Sequence, residues 1–166
     1  MAVEQTLVLI KPDGLVKSLT GNIISVLSET GLSLVGSKVV RVTRELAEEH
    51  YYHLREQKFF SELIKYIMGE YHTKKVVALV YEGEDSCKKI REAVGATNPE
   101  LAKPTSIRGR YGRITTKGIF ENVVHASENS KEAEREIKLW FKPNELISTI
   151  YPVETKEAKM IEYSWK

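Results

Sequence analysis

Leu7 to Ile10 form a continuous apolar run closed by Lys11 and Pro12, the pattern of a buried strand that stops where a charge emerges. Gly21 then opens a helix with Ile23, Ile24 and Leu27 on one face, and Gly31 ends it. Leu32 to Val42, rich in β-branched residues, predicts a second strand, and Thr43 is placed to cap the next helix. The period is helical again from Glu45 to Leu54 and from Phe59 to Met68, where Phe60, Leu63, Ile64 and Ile67 align. Lys75 to Tyr81 reads as the third strand. Asp85 to Val94 reads as a short helix stopped by Gly95, residues 96–121 as a long irregular segment, and Asn122 to His125 as the fourth strand. Ser130 is expected to cap a last helix striped by Ala133, Ile137, Trp140 and Phe141, and a tail follows from Pro143. Strands this apolar need helices over them, so the order predicts an α+β fold: a ferredoxin-like βαββαβ antiparallel sheet with covering helices.

Composition narrows the picture. With 166 residues and 42% hydrophobic content, the chain suits a single domain over 1–166, with a C-terminal tail at about 147–166. A net charge of +2, from 25 Lys and Arg against 23 Asp and Glu, gives no field that would make nucleic acid or membrane the main partner. Cys87 is the sole cysteine, which excludes an internal disulfide and fits a reducing compartment. No charged and apolar leader and no membrane-length stretch is read, so the expectation is a soluble cytoplasmic protein.

The candidate chemistry centres on His125. Imidazole is largely neutral near pH 7, and one ring nitrogen can attack phosphorus while the other needs a partner that fixes the tautomer. Glu136, three residues after Ala133 and four before Trp140, borders the buried helix face and is the candidate for that partner. Ser127 is placed to link the carboxylate to the phosphate region. Lys11 at a strand end, with Arg91 and Arg108 in or near the irregular segment, supplies cations for a transferred phosphoryl group, and Thr97 adds a neutral donor. Losing one such contact in a dry site costs roughly 2.7–4 kcal/mol of activation free energy.

These residues fall in an ordered set that resembles the nucleoside diphosphate kinases from about Thr6 to Leu146. Lys11 to Gly14 match the family's Lys-Pro-Asp-Gly, His50 and Tyr51 its His-Tyr pair, and Phe59 and Phe60 its Phe-Phe pair. Thr97 to Pro99 match Thr-Asn-Pro, Ile107 to Gly109 match Ile-Arg-Gly, and Asn122, His125 and Ser127 match Asn-x-x-His-x-Ser; Glu136 aligns with the orienting glutamate. The resemblance implies a ping-pong exchange in which a nucleoside triphosphate, typically ATP, phosphorylates His125 and a nucleoside diphosphate collects the group, maintaining triphosphate pools. It implies that Mg2+ bridges the nucleotide phosphates, with no metal-ligating side chain assigned. Lys11 and Asn122 would contact the sugar hydroxyl, Tyr51 and Lys11 the reacting phosphate, and Arg91, Thr97 and Arg108 the other phosphates. Phe59 would stack on the base, which gives broad base tolerance. The family's assemblies imply a homo-oligomer, hexamer favoured over tetramer, with the tail after Leu146 near a subunit contact.

The chain departs from the commonest family pattern at Ala126, Glu128, Arg110, Thr105 and Ser106. The stretch from Arg108 to Asn122 is longer, and Gly69 to Lys74 looks inserted. Ala126 resembles archaeal members. The residue over the second face of the base stays open, Ile114 being one option.

Other readings are weaker. His50 and His53 beside Glu49 suggest a metal face, but no further ligand completes it. Gly31 to Lys38 only superficially resembles a phosphate-binding loop, because the Gly-Lys-Ser/Thr order is broken. Arg108 to Arg113 with Lys117 to Phe120 is basic and aromatic on a topology shared with RNA-recognition domains, yet the RNA-binding aromatic signature is incomplete. A family member that has lost catalysis and serves as an interaction protein is opposed by the retained His125, Lys11, Asn122 and arginines.

Overall fold

In the computed structural model, residues 3–116, 118–157 and 165 are described. Strand β1 (Val3–Ile10) leads into a short helix α1 (Pro12–Val16), then α2 (Thr20–Ser28) and β2 (Ser33–Val40). Helix α3 (Arg44–His50) runs into a 3-10 turn at Tyr52–Leu54, and α4 (Phe60–Ile67) and β3 (Val76–Glu84) follow. Helix α5 (Ser86–Val94) precedes a 3-10 turn at Pro99–Leu101, α6 (Ile107–Tyr111) and a hairpin of β4 (Arg113–Ile114) and β5 (Phe120–Glu121). The chain then forms β6 (Val124–Ala126), α7 (Ser130–Trp140) and a 3-10 turn at Pro143–Glu145.

The main sheet has four strands in the order β2-β3-β1-β6, every neighbouring pair antiparallel. This is the ferredoxin-like arrangement expected from the sequence. Alternation along β1 explains why its run is unbroken: Leu7 and Leu9 enter one core, with Ala47, Ile64, Ile67, Ile137 and Trp140. Val8 and Ile10 enter the other, with Ile23, Leu27, Ile90, Val94 and Val124. Helices therefore cover both faces, and each fully buried Leu or Ile contributes about 1.5–3 kcal/mol. No helix among the described residues is long and apolar enough to cross a membrane.

Several expectations are corrected. Residues 96–121 are not irregular throughout but hold a 3-10 turn, α6 and the hairpin. The last central strand is Val124–Ala126, because Val123 has φ 56° and breaks the extended run before it starts. Asn129, not Ser130, caps α7: its Oδ1 accepts from the Glu132 N–H at 3.0 Å, while Ser130 Oγ donates to Glu4 at 2.6 Å. Thr43 does cap α3, accepting from Leu46 N–H at 3.2 Å, but α3 stops at His50 and Leu54 belongs to the 3-10 turn. Helix α1 was not anticipated, although Pro12 at its first position fits a helix start. Of the expected tail, residues 158–164 and 166 lie outside the described residues, as does Lys117 of the basic stretch.

Candidate functional site

The site gathers where β1 ends beside β6, because the antiparallel register sets Leu9 opposite His125 and Ile10 opposite Val124. Lys11 is the next residue out. Its backbone N–H donates to Val123 C=O at 2.8 Å, and its Nζ donates to Asn122 Oδ1 at 2.7 Å. Asn122 in turn donates from Nδ2 to the Thr97 carbonyl at 2.8 Å. One asparagine thus ties the strand-end lysine to the loop after α5.

Between Asn122 and His125 the backbone makes a γ-turn-like reversal. Val124 N–H donates to Asn122 C=O at 2.7 Å across Val123, whose φ of 56° is strained for a β-branched residue. Such strain costs about 1–3 kcal/mol and persists only when surroundings over-determine it. Here they do. The buried Asp13 accepts the Val123 N–H at 3.0 Å, Lys11 N–H holds the Val123 carbonyl, and Arg108 holds the Val124 carbonyl at 3.0 Å.

His125 is fixed from the far side by α7. Its Nε2 lies 3.0 Å from both carboxylate oxygens of Glu136, which leaves Nδ1 as the ring nitrogen outside this pairing. Ser127 Oγ donates to Glu136 Oε2 at 2.6 Å and accepts the Leu7 N–H at 3.1 Å. Ser127 is fully buried and braces the carboxylate against β1, which gives the expected link to Glu136. Burial raises the Glu136 carboxyl, but His125 and the Ser127 hydrogen bond outweigh it and hold Glu136 below the usual carboxylate range.

Positive charge concentrates opposite. Lys11 and Arg108 are both buried. Burial and the Arg108 charge, partly opposed by Asp13, push the Lys11 ammonium down to about 8. Burial and Arg91 push Arg108 down to about 10. Arg108 also donates to the Gly95 carbonyl at 2.9 Å, and Gly95 sits at φ 87°, where an added Cβ would fall 2.2 Å from Ser106 Oγ. Two buried cations, the lysine weakened by the arginine's charge, form an anion-seeking pair. Tyr51 is buried with its hydroxyl unpartnered, its ring centroid is 6.1 Å from that of His125, and burial raises its phenol.

The structure therefore joins His125, Glu136, Ser127, Lys11, Asn122, Arg108 and the Thr97 backbone in one connected region, with Tyr51 against His125. Phe59, at the N-cap of α4, is 54% exposed, and Arg91 is exposed on α5. For Thr97 it is the carbonyl that is engaged.

Sequence reasoning named His50 and Asp13 only as motif matches and gave neither a role at the site. His50 is fully buried, its ring stands 4.4 Å from His125 edge to face, and its Nδ1 accepts from Trp140 Nε1 at 3.1 Å. Burial first, then the charges around it, hold it well below the ordinary histidine range. One ligand atom each from His50, His125 and Glu136 lies within 4.8 Å of the others, as a metal set would require. Yet the His50 Nδ1 lone pair is taken by Trp140 and the His125 Nε2 by Glu136, so this is a hydrogen-bonded set. His53 and Glu49 are exposed and share no face with it. Asp13 carried a readable signal: an acid directly after the first proline of a helix that closes a buried strand.

Residues 4–146 match the family model described as nucleoside diphosphate kinase. A nucleoside diphosphate kinase of Pyrococcus horikoshii is 47% identical over 149 residues, covering 90% of each chain. Among solved structures, one described as a transition state mimic of the Borrelia burgdorferi enzyme with vanadate and ADP aligns with a TM-score of 0.79 and 34% identity, over 90% of this chain and 93% of that one. The Halobacterium salinarum enzyme in complex with CDP aligns with a TM-score of 0.79 and 37% identity, over 90% of this chain and 95% of its own.

Proposed function

Because the chain belongs to the nucleoside diphosphate kinase family, a family of nucleotide-binding phosphotransferases, we propose that His125 is the residue that carries the phosphoryl group between two nucleotides. The observation that carries this reading is the pairing of His125 Nε2 with Glu136. It keeps the proton on Nε2 and the lone pair on Nδ1, the atom that attacks the terminal phosphorus. The P–O bond to the departing diphosphate breaks as the N–P bond forms, and the second nucleotide reverses the step. Negative charge on Glu136 steadies the imidazole as it becomes cationic.

Lys11 and Arg108 serve the phosphates, because an arriving anion offsets the burial of both cations and the Arg108 charge that weakens Lys11. Tyr51 offers a hydroxyl with no protein partner to the reacting phosphate, and Lys11 with Asn122 reaches the sugar. Arg91 and the Thr97 side chain serve the remaining phosphates. Phe59 offers an exposed ring to the base, and stacking tolerates any base. The Borrelia and Halobacterium structures hold ADP and CDP respectively, which suits that tolerance.

Magnesium belongs, on this reading, to the nucleotide. Glu136 is spent on His125 and Ser127, and Asp13 is fully buried with its Oδ2 on the Val123 N–H, so the acids of the site suit an ion brought on the substrate's phosphates, where it would neutralise their charge.

We further read the chain as one cytoplasmic domain that acts on free nucleotides, not on nucleic acid or membrane, and assembles as a homo-oligomer, hexamer favoured over tetramer. Strand β2 supports self-association, being an edge strand with Leu34 and Val39 exposed.

The test is to charge the protein with GTP labelled at the terminal phosphate, isolate an acid-labile phosphoprotein, and chase the label onto CDP. A His125→Ala protein is expected to take no label; label that persists there overturns the assignment.

A further inference from the structure

Two segments in which this chain departs from the family pattern meet at one carboxylate. Glu121, at the end of the β4–β5 hairpin, is only 5% exposed. Its Oε2 accepts from Arg113 Nε at 2.6 Å across the hairpin register and lies 3.4 Å from Lys17 Nζ, just beyond α1. Its Oε1 lies 3.1 Å from His72 Nε2, in the 69–74 segment that precedes β3. A buried carboxylate is costly unless paired, and here three separate stretches of chain supply the partners. Burial raises the Glu121 carboxyl, but Arg113 and Lys17 prevail and keep it below the usual range.

The carboxylate stands directly before Asn122, whose side chain bridges Lys11 and Thr97. A second path leads to the same lysine. His72 packs edge to face on Tyr66 at 6.1 Å, and the Tyr66 ring lies 5.5 Å from Lys11 Nζ. Lys17 pins the end of α1, the helix that begins right after Lys11. Two partners of Glu121, His72 and Lys17, thus abut the frame around Lys11 and Asn122.

We propose that Glu121 is a positioning residue for nucleotide capture: by gathering Lys17, His72 and Arg113 it fixes Asn122 and Lys11 from outside the site. The proposal rests on the reading of Lys11 and Asn122 as nucleotide contacts. Glu121 touches no reacting atom, and the His125–Glu136 pair is braced by α7 and β1, independently of this clamp. Loss of the clamp therefore weakens nucleotide capture first and leaves the His125–Glu136 pairing in place, so reaction with a donor that has no sugar falls much less than capture does.

The experiment compares wild type, Glu121→Gln, His72→Phe and Asn122→Ala in two reactions. One is charging of His125 by phosphoramidate, a donor without a nucleoside, in which the P–N bond of the donor breaks, ammonia leaves and a P–N bond to the imidazole forms. The other is single-turnover transfer from phosphorylated protein to nucleoside diphosphates. Glu121→Gln is expected to raise the half-saturating diphosphate concentration about tenfold, with a much smaller loss of maximal transfer and of phosphoramidate charging, since small displacements of positioning groups carry large penalties. His72→Phe, which keeps an aromatic ring on Tyr66, is expected to give a smaller rise of the same kind, and carries the test alone if Glu121→Gln does not fold. Unchanged saturation in whichever of the two folds, with a rise in Asn122→Ala, overturns the clamp and leaves the nucleotide contacts standing. A rise in Glu121→Gln without one in Asn122→Ala supports the clamp and removes Asn122 from those contacts. Equal loss of phosphoramidate charging and transfer in Glu121→Gln also overturns it, because that is the mark of general damage.

Discussion

Glu136 presents both carboxylate oxygens 3.0 Å from Nε2 of His125, and a residue from α7 thereby selects which nitrogen of a β6 histidine is left to react. Glu136→Gln keeps the shape and removes the charge. Phosphorylation of His125 is expected to slow by at least about 10²-fold, as when the acid that orients a catalytic histidine is neutralised elsewhere, with little change in half-saturation. Rapid-quench measurement of phosphoprotein formation checks this; a rate within a factor of two of wild type would mean that the carboxylate does not orient the ring.

If Lys11 meets phosphate as proposed, it sets the alkaline limb of activity. Its ammonium is brought to about 8 by burial and by Arg108, with Asp13 pulling the other way. The charged form is the one that meets phosphate, so kcat/KM is expected to fall as pH rises through about 8. The stability linkage has the opposite sign. A lysine lowered in the folded state binds its proton more weakly there than in the unfolded chain, so stability attributable to it rises between about 8 and the ordinary 10.5. Activity lost in that window with an undiminished melting temperature identifies the titration; Lys11→Arg, which stays charged, is expected to move the limb upward.

Much of this was legible in the sequence because long periodic elements carry their own signal. Leu7 to Ile10 read as a doubly buried strand and is one, and of the expected stripe Ile137, Trp140 and Phe141 enter one core while Ala133 is buried with Glu136 on the same helix. The stretch from residue 96 to 121 was illegible for the opposite reason: a five-residue helix and two-residue strands show no period, and their order comes from tertiary anchors such as Glu121. Ser127 was placed near the carboxylate correctly, and its second anchor, the Leu7 N–H, comes from a strand 120 residues away that local sequence cannot show. His50 was set aside as a metal ligand because no further ligand completed a set nearby, and its actual partner, Trp140, is 90 residues away, out of reach of local pattern.

The strained turn before His125 predicts a contrast between two substitutions. Val123→Gly removes strain worth about 1–3 kcal/mol, and loses a buried side chain worth about 1.5–3 kcal/mol, so the net change is expected to be small. Asp13→Ala instead strips the acceptor from the buried Val123 N–H and is expected to destabilise by about 1–3 kcal/mol. It is also expected to slow phosphorylation, since the turn is then free to relax and carry His125 with it. Denaturant unfolding of the two variants decides the matter: comparable losses would show that Val123 stores no strain.

Phe59 gives the last prediction, and it separates base recognition from everything else at the site. Its ring is 54% exposed at the start of α4, so folding recovers little from it, and truncation to alanine is expected to leave the melting temperature nearly unchanged. If the ring stacks on the base, the same truncation removes roughly 1–3 kcal/mol of binding, a rise of roughly five- to 150-fold in half-saturation. The rise is expected to be similar for adenine, guanine, cytosine and uracil diphosphates, because each offers a π-face and the ring reads no edge. Phosphoramidate charging of His125 involves no base and should not respond. A half-saturation that rises for one base alone would point to edge recognition by another group, and an unchanged value for all four would remove Phe59 from the site.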